Sequence, residues 1–363
     1  MGTVNAPLLS AAEDVVWLRA GEALALSARR EAGALAQRLG MSADRTARVE
    51  LAATEAATNL LRHADDGSLI LRVSRVADGA ALEILALDTG PGIPDIDAAL
   101  RDGHSQGGTL GIGLGAISRL SDDFDVHSLH GRGTLVLARF WAPGSAGDSG
   151  SRVARAAARH VAGLTRPISG ETVCGDAWAA RAELAETVGL SGERPPGRVT
   201  AMMCDGLGHG PLAARASERA RQVFQSTTRT HLRDILQEIH LALRGTRGAA
   251  VSLVSADFVA RRVEVCGAGN VSAFVVDGDR RTALISLPGI VGSHLPSLRT
   301  FDAELPPGST VVLHSDGLKD RWAPADFPGL FTRQPVMIAG QILGQAGVRR
   351  DDAGIVVITS PAS

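Results

Sequence analysis

Apolar and polar positions along the chain fall into two differently patterned halves. In the first, Val15 to Leu18 is a short apolar run that reads as a strand, and apolar residues then recur at helical spacing from Gly21 until Leu39, where Gly40 stops them. Ser42 stands as the N-cap of a second helix running to about His63. Two β runs follow, SLILRVSRV and AALEILALD, joined at Asp78 and Gly79 in the manner of a hairpin. A Gly-rich loop leads into a helix over about Leu114 to Leu120, and DFDVHSLH and TLVLARFW, joined by Gly131-Arg132-Gly133, form a second hairpin. Helices combined with an antiparallel sheet predict an α+β sandwich, not a doubly wound parallel fold.

The second half is richer in strands. RVTAMMC, AAVSLVSADF, RVEVCGAG, SAFVVDG, STVVLHS and GIVVITS read as strands, and Pro211 to Phe224 and Leu232 to Leu243 as an adjacent helix pair. Two sheets with helices outside suit this pattern. Gly150 to Pro167 fits helix and strand equally. The small and polar stretch APGSAGDSGS, Ala142 to Ser151, reads as a flexible linker, which places domains at 1–141 and 152–363 on either side of a linker at 142–151.

The length of 363 residues agrees with about two domains, and a 45% hydrophobic content is enough to build both cores. The formal net charge is −2 with acids and bases interspersed, so no basic stripe points to nucleic acid and no polybasic tail to anionic lipid. No apolar run approaches the roughly 18 residues of a membrane span, and MGTVNAPLLS lacks the basic region and apolar core of a signal peptide. A cytoplasmic protein is expected. Cys174, Cys204 and Cys266 have no paired short spacing, which argues against a disulfide framework and against zinc.

Candidate chemistry begins on the second helix, where VELAATEAATNLLRHA places Glu55, Asn59 and His63 at successive i, i+4 positions on one face. A solvated stripe is the alternative reading of that triplet. Downstream, LALDTGPGIPD ends an apolar run in Asp88, able to accept a hydrogen bond from an exocyclic amine, while Gly90 and Gly92 let the backbone pass close to a flat base. The loop GGTLGIGLGA follows. Its Gly107, Gly108, Thr109, Leu110, Gly111 and Gly113 offer backbone N–H groups and a helix start to phosphate oxygens. Thr109 and Thr134 add hydroxyls near this path, with core or turn roles as the alternative.

In this order the residues resemble the GHKL ATPase superfamily, which includes histidine kinases, gyrase-type ATPases and anti-sigma-factor serine kinases, over about Val15 to Trp141. Glu55 and Asn59 stand at the E-x-x-x-N box, DTGPGI at the D-x-G-x-G box and GGTLGIGLGA at the second glycine box. The resemblance implies a Bergerat-type α/β sandwich that binds ATP, with Asp88 reading adenine, Asn59 holding magnesium and Glu55 as the general base. The short domain is similar to the RsbT type of serine/threonine kinase. No histidine-bearing dimerisation helix pair precedes it, so a sensor histidine kinase is not expected.

In the second half, acids sit beside glycine at the ends of apolar runs: Asp176 in CGDAW, Asp205 in CDGLGHG, Asp316 in SDGLKD, and Asp351 and Asp352 in RRDDAGIVVI. A single Asp-Gly is ordinarily a turn. Four such places suggest carboxylates converging at one end of a sheet pair, and carboxylate and carbonyl oxygens suit magnesium or manganese. Gly206 leaves its carbonyl open to a metal. GETVCGDAW, CDGLGHGPLAARAS, RGAAVSLVSAD, CGAGNV and SDGLKD then match, in order, the SpoIIE and RsbX branch of the metal-dependent PPM protein phosphatases over about Arg152 to Ser360. That resemblance implies a PPM-type β-sandwich flanked by helices, with Asp176, Asp205, Gly206, Asp316 and Asp351 as ligands of Mg2+ or Mn2+. Two departures are Ala179, where many relatives carry a second acid, and Gly354, where Thr or Ser often follows the last acid pair. His209 reads as a loop residue near the metals, with turn geometry and solvent as its alternative.

Together the resemblances imply a bifunctional regulator of a partner-switching or stressosome-type pathway. It would phosphorylate Ser or Thr of a STAS-domain anti-sigma antagonist or stressosome protein and hydrolyse protein phosphoserine or phosphothreonine by a two-metal mechanism. The alternatives are an ATP-dependent switch that sequesters a sigma factor or STAS protein without phosphorylating it, and a phosphatase domain that serves as scaffold. Glu55 favours a kinase over a binder, and the acid set favours an active phosphatase. Oligomeric state stays open.

Overall fold

The computed structural model describes residues 8–9, 15–76, 79–101, 113–144, 159–184, 196–295 and 297–362. Two compact units divide the chain, one formed by Ala12–Arg152 and the other by Met1–Ala11 with Val153–Ser363. The first strand, β1 (Leu8–Leu9), thus precedes the N-terminal unit in sequence yet belongs to the C-terminal one.

The N-terminal unit runs β2 (Val15–Arg19), α1 (Leu24–Arg38), α2 (Ala43–His63), β3 (Ser68–Val76), β4 (Gly79–Leu87), α3 (Ile96–Leu100), α4 (Leu114–Leu120), β5 (Asp123–Leu129) and β6 (Gly133–Trp141). Its strands form an antiparallel sheet in the order β2-β3-β4-β6-β5. Ser42 caps α2 through its hydroxyl, which accepts the Arg45 N–H at 3.3 Å, and Gly40 takes φ +70° where α1 stops. Strand alternation sends Leu69, Leu71, Val73, Leu82, Ile84, Val136, Ala138 and Phe140 into one core with Leu35, Ala53, Ala57 and Leu60 of the helices. The pairing Val76↔Gly79 sets the first hairpin, whose Asp78 lies outside the described residues.

Between the core residues, alternation also places Arg72, Glu83 and Arg139 side by side on three adjacent strands. Glu83, 1% exposed, accepts from Arg72 Nε at 2.5 Å and Arg139 Nε at 2.7 Å. Burial by itself would raise the Glu83 pKa, but the two guanidinium groups outweigh it and bring the carboxyl down to about 2.

The C-terminal unit adds to β1 the elements β7 (Val161–Arg166), β8 (Asp176–Leu184), β9 (Pro196–Gly206), α5 (Pro211–Ser226), α6 (Leu232–Leu243), β10 (Ala249–Asp257), β11 (Arg262–Ala268), β12 (Ser272–Asp277), β13 (Arg280–Leu284), β14 (Phe301–Glu304), β15 (Thr310–His314), α7 (Pro335–Ala346) and β16 (Ala353–Thr359). One sheet has the order β14-β11-β10-β9-β8-β1 and the other β13-β12-β15-β16-β7, each antiparallel throughout. β7 and β16 pack on β8 and β9 face to face. Helices α5 and α6 cover the outer side of the first sheet and α7 that of the second. This is a β-sandwich flanked by helices.

Several elements are invisible to periodicity. Within the stretch that fits either state, Val161–Arg166 is a strand, and 150–158 lie outside the described residues. The alanine-rich DAWAARAEL has helix-forming composition, yet β9 on one edge and β1 on the other hold it as strand β8. Helix α7 is buried almost throughout, Gln341 included, so its apolar residues are not confined to one face and mark no amphipathic period. Among the described residues no helix is long and apolar enough to cross a membrane.

Candidate active sites

In the N-terminal unit, α2 carries Glu55 and Asn59 half-buried and His63 exposed. Burial raises the Glu55 pKa, against a smaller lowering by Arg62. The end of α2 packs against the corner after β4: the Thr89 N–H and hydroxyl both donate to the Asp65 carbonyl at 3.1 Å. At that corner Asp88 Oδ1 accepts the Gly90 N–H at 2.7 Å, and its main-chain N–H donates to the Thr134 carbonyl at 3.0 Å. Burial raises the Asp88 pKa. The N–H groups of Gly90 and Thr134 pull the other way, and Asp65 adds to the rise. The carboxyl is therefore oriented by backbone N–H groups.

Gly133 makes this corner possible. It has φ +103°, and a Cβ there would lie 1.9 Å from the Asp88 carbonyl oxygen. Gly92 turns at φ +78° beside the Leu129 carbonyl. Thr134 is buried, its hydroxyl 2.9 Å from that of Ser128, which also accepts the Ile93 N–H at 2.6 Å. Gly113 is the N-cap of α4, and the Asn59 amide oxygen stands 3.9 Å from where its Cβ would be. The structure thus brings Asn59 to Gly113 and Asp88 to Gly90 and Thr134, whereas Gly107, Gly108, Thr109, Leu110 and Gly111 lie outside the described residues.

In the C-terminal unit the acids meet at one end of the paired sheets. Asp176 opens β8 and stands directly across from Asp205 near the end of β9, and Asp205 in turn faces Ala250 on β10. From the second sheet, Ser315 and Asp316 follow β15, and Asp351 and Asp352 precede β16. Burial pushes the Asp176 pKa well up, with Asp205 the next cause. Asp205 is pushed up to about 7 by burial and then by Asp316 and Asp351, and Asp316 is raised by burial and Asp351. Like charges held this close disfavour one another.

Neighbouring residues of the same motifs orient the cluster. The Ser315 hydroxyl donates to Asp176 Oδ2 at 2.6 Å and accepts the Gly354 N–H at 2.9 Å, and the Asn270 amide donates to Asp316 Oδ2 at 2.6 Å. Asp352, 3% exposed, accepts the N–H groups of Ile168 at 2.8 Å and Gly175 at 2.9 Å, tying the segment before β8 to β16. The opposite oxygen of Asp176, Oδ1, is buried without a partner. An unpaired buried carboxylate oxygen beside three more acids suits a divalent cation. Among the described residues no three acid, histidine or cysteine side chains are already closed around one metal position.

The two departures from the phosphatase pattern have structural counterparts. Ala179 is on the face of β8 opposite Asp176, within the apolar cluster that includes Met202 and Ala216, so an acid there would enter the core. Gly354 fits because a Cβ would come within 2.1 Å of Met203 and 3.1 Å of Asp176. Gly206 has a packing reason for lacking a side chain: a Cβ would lie 2.4 Å from the Ala213 carbonyl oxygen. His209 is exposed, 3.5 Å from Glu171.

Residues 18–140 match the family described as Histidine kinase-like ATPase domain, and residues 195–338 match Stage II sporulation protein E (SpoIIE). The chain is 38% identical over 118 residues to the serine/threonine-protein kinase RsbT of Bacillus subtilis (strain 168), spanning 32% of this chain and 87% of that one. It is 25% identical over 151 residues to the phosphoserine phosphatase RsbX of the same strain, spanning 41% and 69%. A solved structure of RsbX in complex with magnesium is 21% identical, with 55% of this chain and 96% of that one covered and a TM-score of 0.42. The chain belongs to the histidine kinase-like ATPase family through an RsbT-like GHKL domain of serine/threonine-kinase type, joined in the same polypeptide to a SpoIIE/RsbX-like domain of PPM protein-phosphatase type.

Proposed function

We propose that the chain sets the phosphorylation level of a STAS-domain or stressosome-type partner from both directions, adding phosphate to Ser or Thr with ATP and removing it by metal-dependent hydrolysis. The observation that carries this reading is the row Asp176, Asp205, Asp316 and Asp351, with a buried unpaired oxygen on Asp176, in a chain that also holds the backbone-caged Asp88.

In the N-terminal domain Asp88 would take the adenine amine, Asn59 would hold magnesium, and the backbone N–H groups of Gly107, Gly108, Thr109, Leu110, Gly111 and Gly113 would bind phosphate oxygens. Glu55, its pKa raised by burial, accepts the proton of the attacking hydroxyl. In the C-terminal domain Asp176, Asp205, Asp316, Asp351 and the Gly206 carbonyl hold magnesium or manganese. A divalent cation supplies, when bound, the positive charge that acidifies a water and offsets phosphoryl charge. Ser315 and Asn270 fix the directions of Asp176 and Asp316, so the ligand oxygens are set before substrate arrives.

The test combines the purified chain, ATP, magnesium or manganese and each STAS protein of the same genome, with phosphate on the partner followed by mass spectrometry. Glu55→Ala is expected to bind ATP but leave the partner unmodified. Asp316→Asn is expected to leave it fully phosphorylated. ATP binding without transfer by the wild type supports the sequestering switch instead, and hydrolysis undiminished in EDTA overturns the metal reading.

A further inference from the structure

The cluster poses an electrostatic problem for its own substrate. A phosphoryl dianion must approach a row of carboxylates, and positive charge beyond the metal ligands would help to hold it. Around the loop Leu207–Gly210, which follows Asp205 and Gly206, the imidazole of His209 and the guanidinium of Arg247 are placed. His209 faces Glu171 at 3.5 Å. Arg247 is exposed, and among the described residues its guanidinium has no hydrogen bond or ion pair.

Arg247 is set against that loop by backbone. Gly208 has φ +86°, and a Cβ on it would lie 2.8 Å from Arg247 Nη1. The Leu207 N–H donates to the Gly248 carbonyl at 3.1 Å, and Ala249 pairs with Gly206 in the ladder, so Arg247 sits two residues from the partner of a proposed ligand. Its turn is fastened as well. The Thr246 hydroxyl donates to the Leu243 carbonyl at 2.7 Å and accepts the Gly248 N–H at 3.0 Å. The main chain is held while the guanidinium stays uncommitted.

We infer that Arg247 is a phosphoryl-binding residue of the C-terminal site, its guanidinium taking two non-bridging oxygens of a phosphoserine or of released phosphate beside the Asp205–Gly206 corner. A guanidinium suits this because its planar fork matches two phosphate oxygens and it keeps its charge at any working pH. The inference rests on the phosphatase reading above and extends it to substrate recognition.

The experiment uses the full chain with magnesium and para-nitrophenyl phosphate, and reads KM, kcat, the inhibition constant of inorganic phosphate and the thermal shift that phosphate produces. Arg247→Ala is expected to raise KM and the phosphate inhibition constant by roughly tenfold or more and to abolish the phosphate-induced thermal shift. Its melting temperature without phosphate and its magnesium requirement should match the wild type. Arg247→Lys should recover part of the loss, because a point charge remains but the fork does not. Lys319→Ala and Arg350→Ala run alongside, as cations next in sequence to the acid loops. Unchanged phosphate inhibition and thermal shift in Arg247→Ala, or their loss only in Lys319→Ala or Arg350→Ala, overturns the assignment while leaving the phosphatase intact. A wild type that hydrolyses nothing with either metal overturns the phosphatase reading itself, and this assignment with it.

Discussion

Metal binding by the C-terminal acid row should be a proton exchange. In the folded, metal-free protein the Asp205 carboxyl is raised to about 7 from an ordinary value of 3.8, first by burial and then by Asp316 and Asp351. A cation binding there at pH 6 meets a carboxylate ionised in only about one molecule in eleven, and must displace the proton. Apparent affinity for magnesium is therefore expected to fall about tenfold, or about 1.4 kcal/mol, for each pH unit below about 7, and to level off above it. Asp176 is also raised, so one proton is the lower bound. The sign for stability is the reverse of the usual carboxylate case: the metal-free fold holds this proton more tightly than the unfolded chain. That contribution is present below the ordinary value and is lost as pH rises through about 7. Calorimetric titration of magnesium into metal-free protein, in buffers of different ionisation enthalpy, counts the protons. Close to one or more should be released at pH 6, and few at pH 8. Affinity independent of pH between 6 and 8, with no proton released at pH 6, would refute the clustered, desolvated carboxylates from which the argument starts.

Three further outcomes follow from particular contacts. Glu83→Gln removes the buried acid that Arg72 and Arg139 share, while Arg139 keeps Asp123 at 3.4 Å, and should cost the N-terminal unit roughly 3–5 kcal/mol in urea unfolding; the wild-type contribution is present above pH 4.5 and should fade as pH falls toward about 2, and a loss under about 1 kcal/mol would mean the shared acid is solvated. Gly133→Ala places a Cβ against the Asp88 carbonyl at a left-handed φ, so it should destabilise the corner and weaken ATP binding, read by nucleotide-induced thermal shift; an unchanged shift would remove Gly133 from the argument. Asp352→Ala leaves the Ile168 and Gly175 N–H groups unpaired and should lower the melting temperature of the C-terminal unit while reducing hydrolysis, whereas loss of hydrolysis at an unchanged melting temperature would show a role beyond holding the segment before β8.

The sequence by itself determined the elements whose information is local. Ser42 as a cap, Gly40 as a stop, the periodic faces of α2 and α6, and the apolar runs of β3, β4, β6, β9, β10 and β16 each carry their signal within a few residues. It also set out the order of acids and glycines that carries both family resemblances. Tertiary structure decided what depends on partners distant in the chain. β8 is a strand because β9 and β1 supply its hydrogen bonds, whatever its alanine content prefers, and α7 is a helix whose burial on all sides erases amphipathic periodicity. Gly354 could be seen as a departure from a pattern, but its crowding by Met203 and Asp176 exists only after β16 lies across β8 and β9. Ser315 and Asn270 likewise gain their roles only when the strands deliver them to Asp176 and Asp316, and Glu83 only when three strands align it with two arginines. Local hydrogen bonding and periodicity are written along the chain. Close approach, burial and the electrostatics they produce arise between segments far apart in it, and only the packed fold sets those distances.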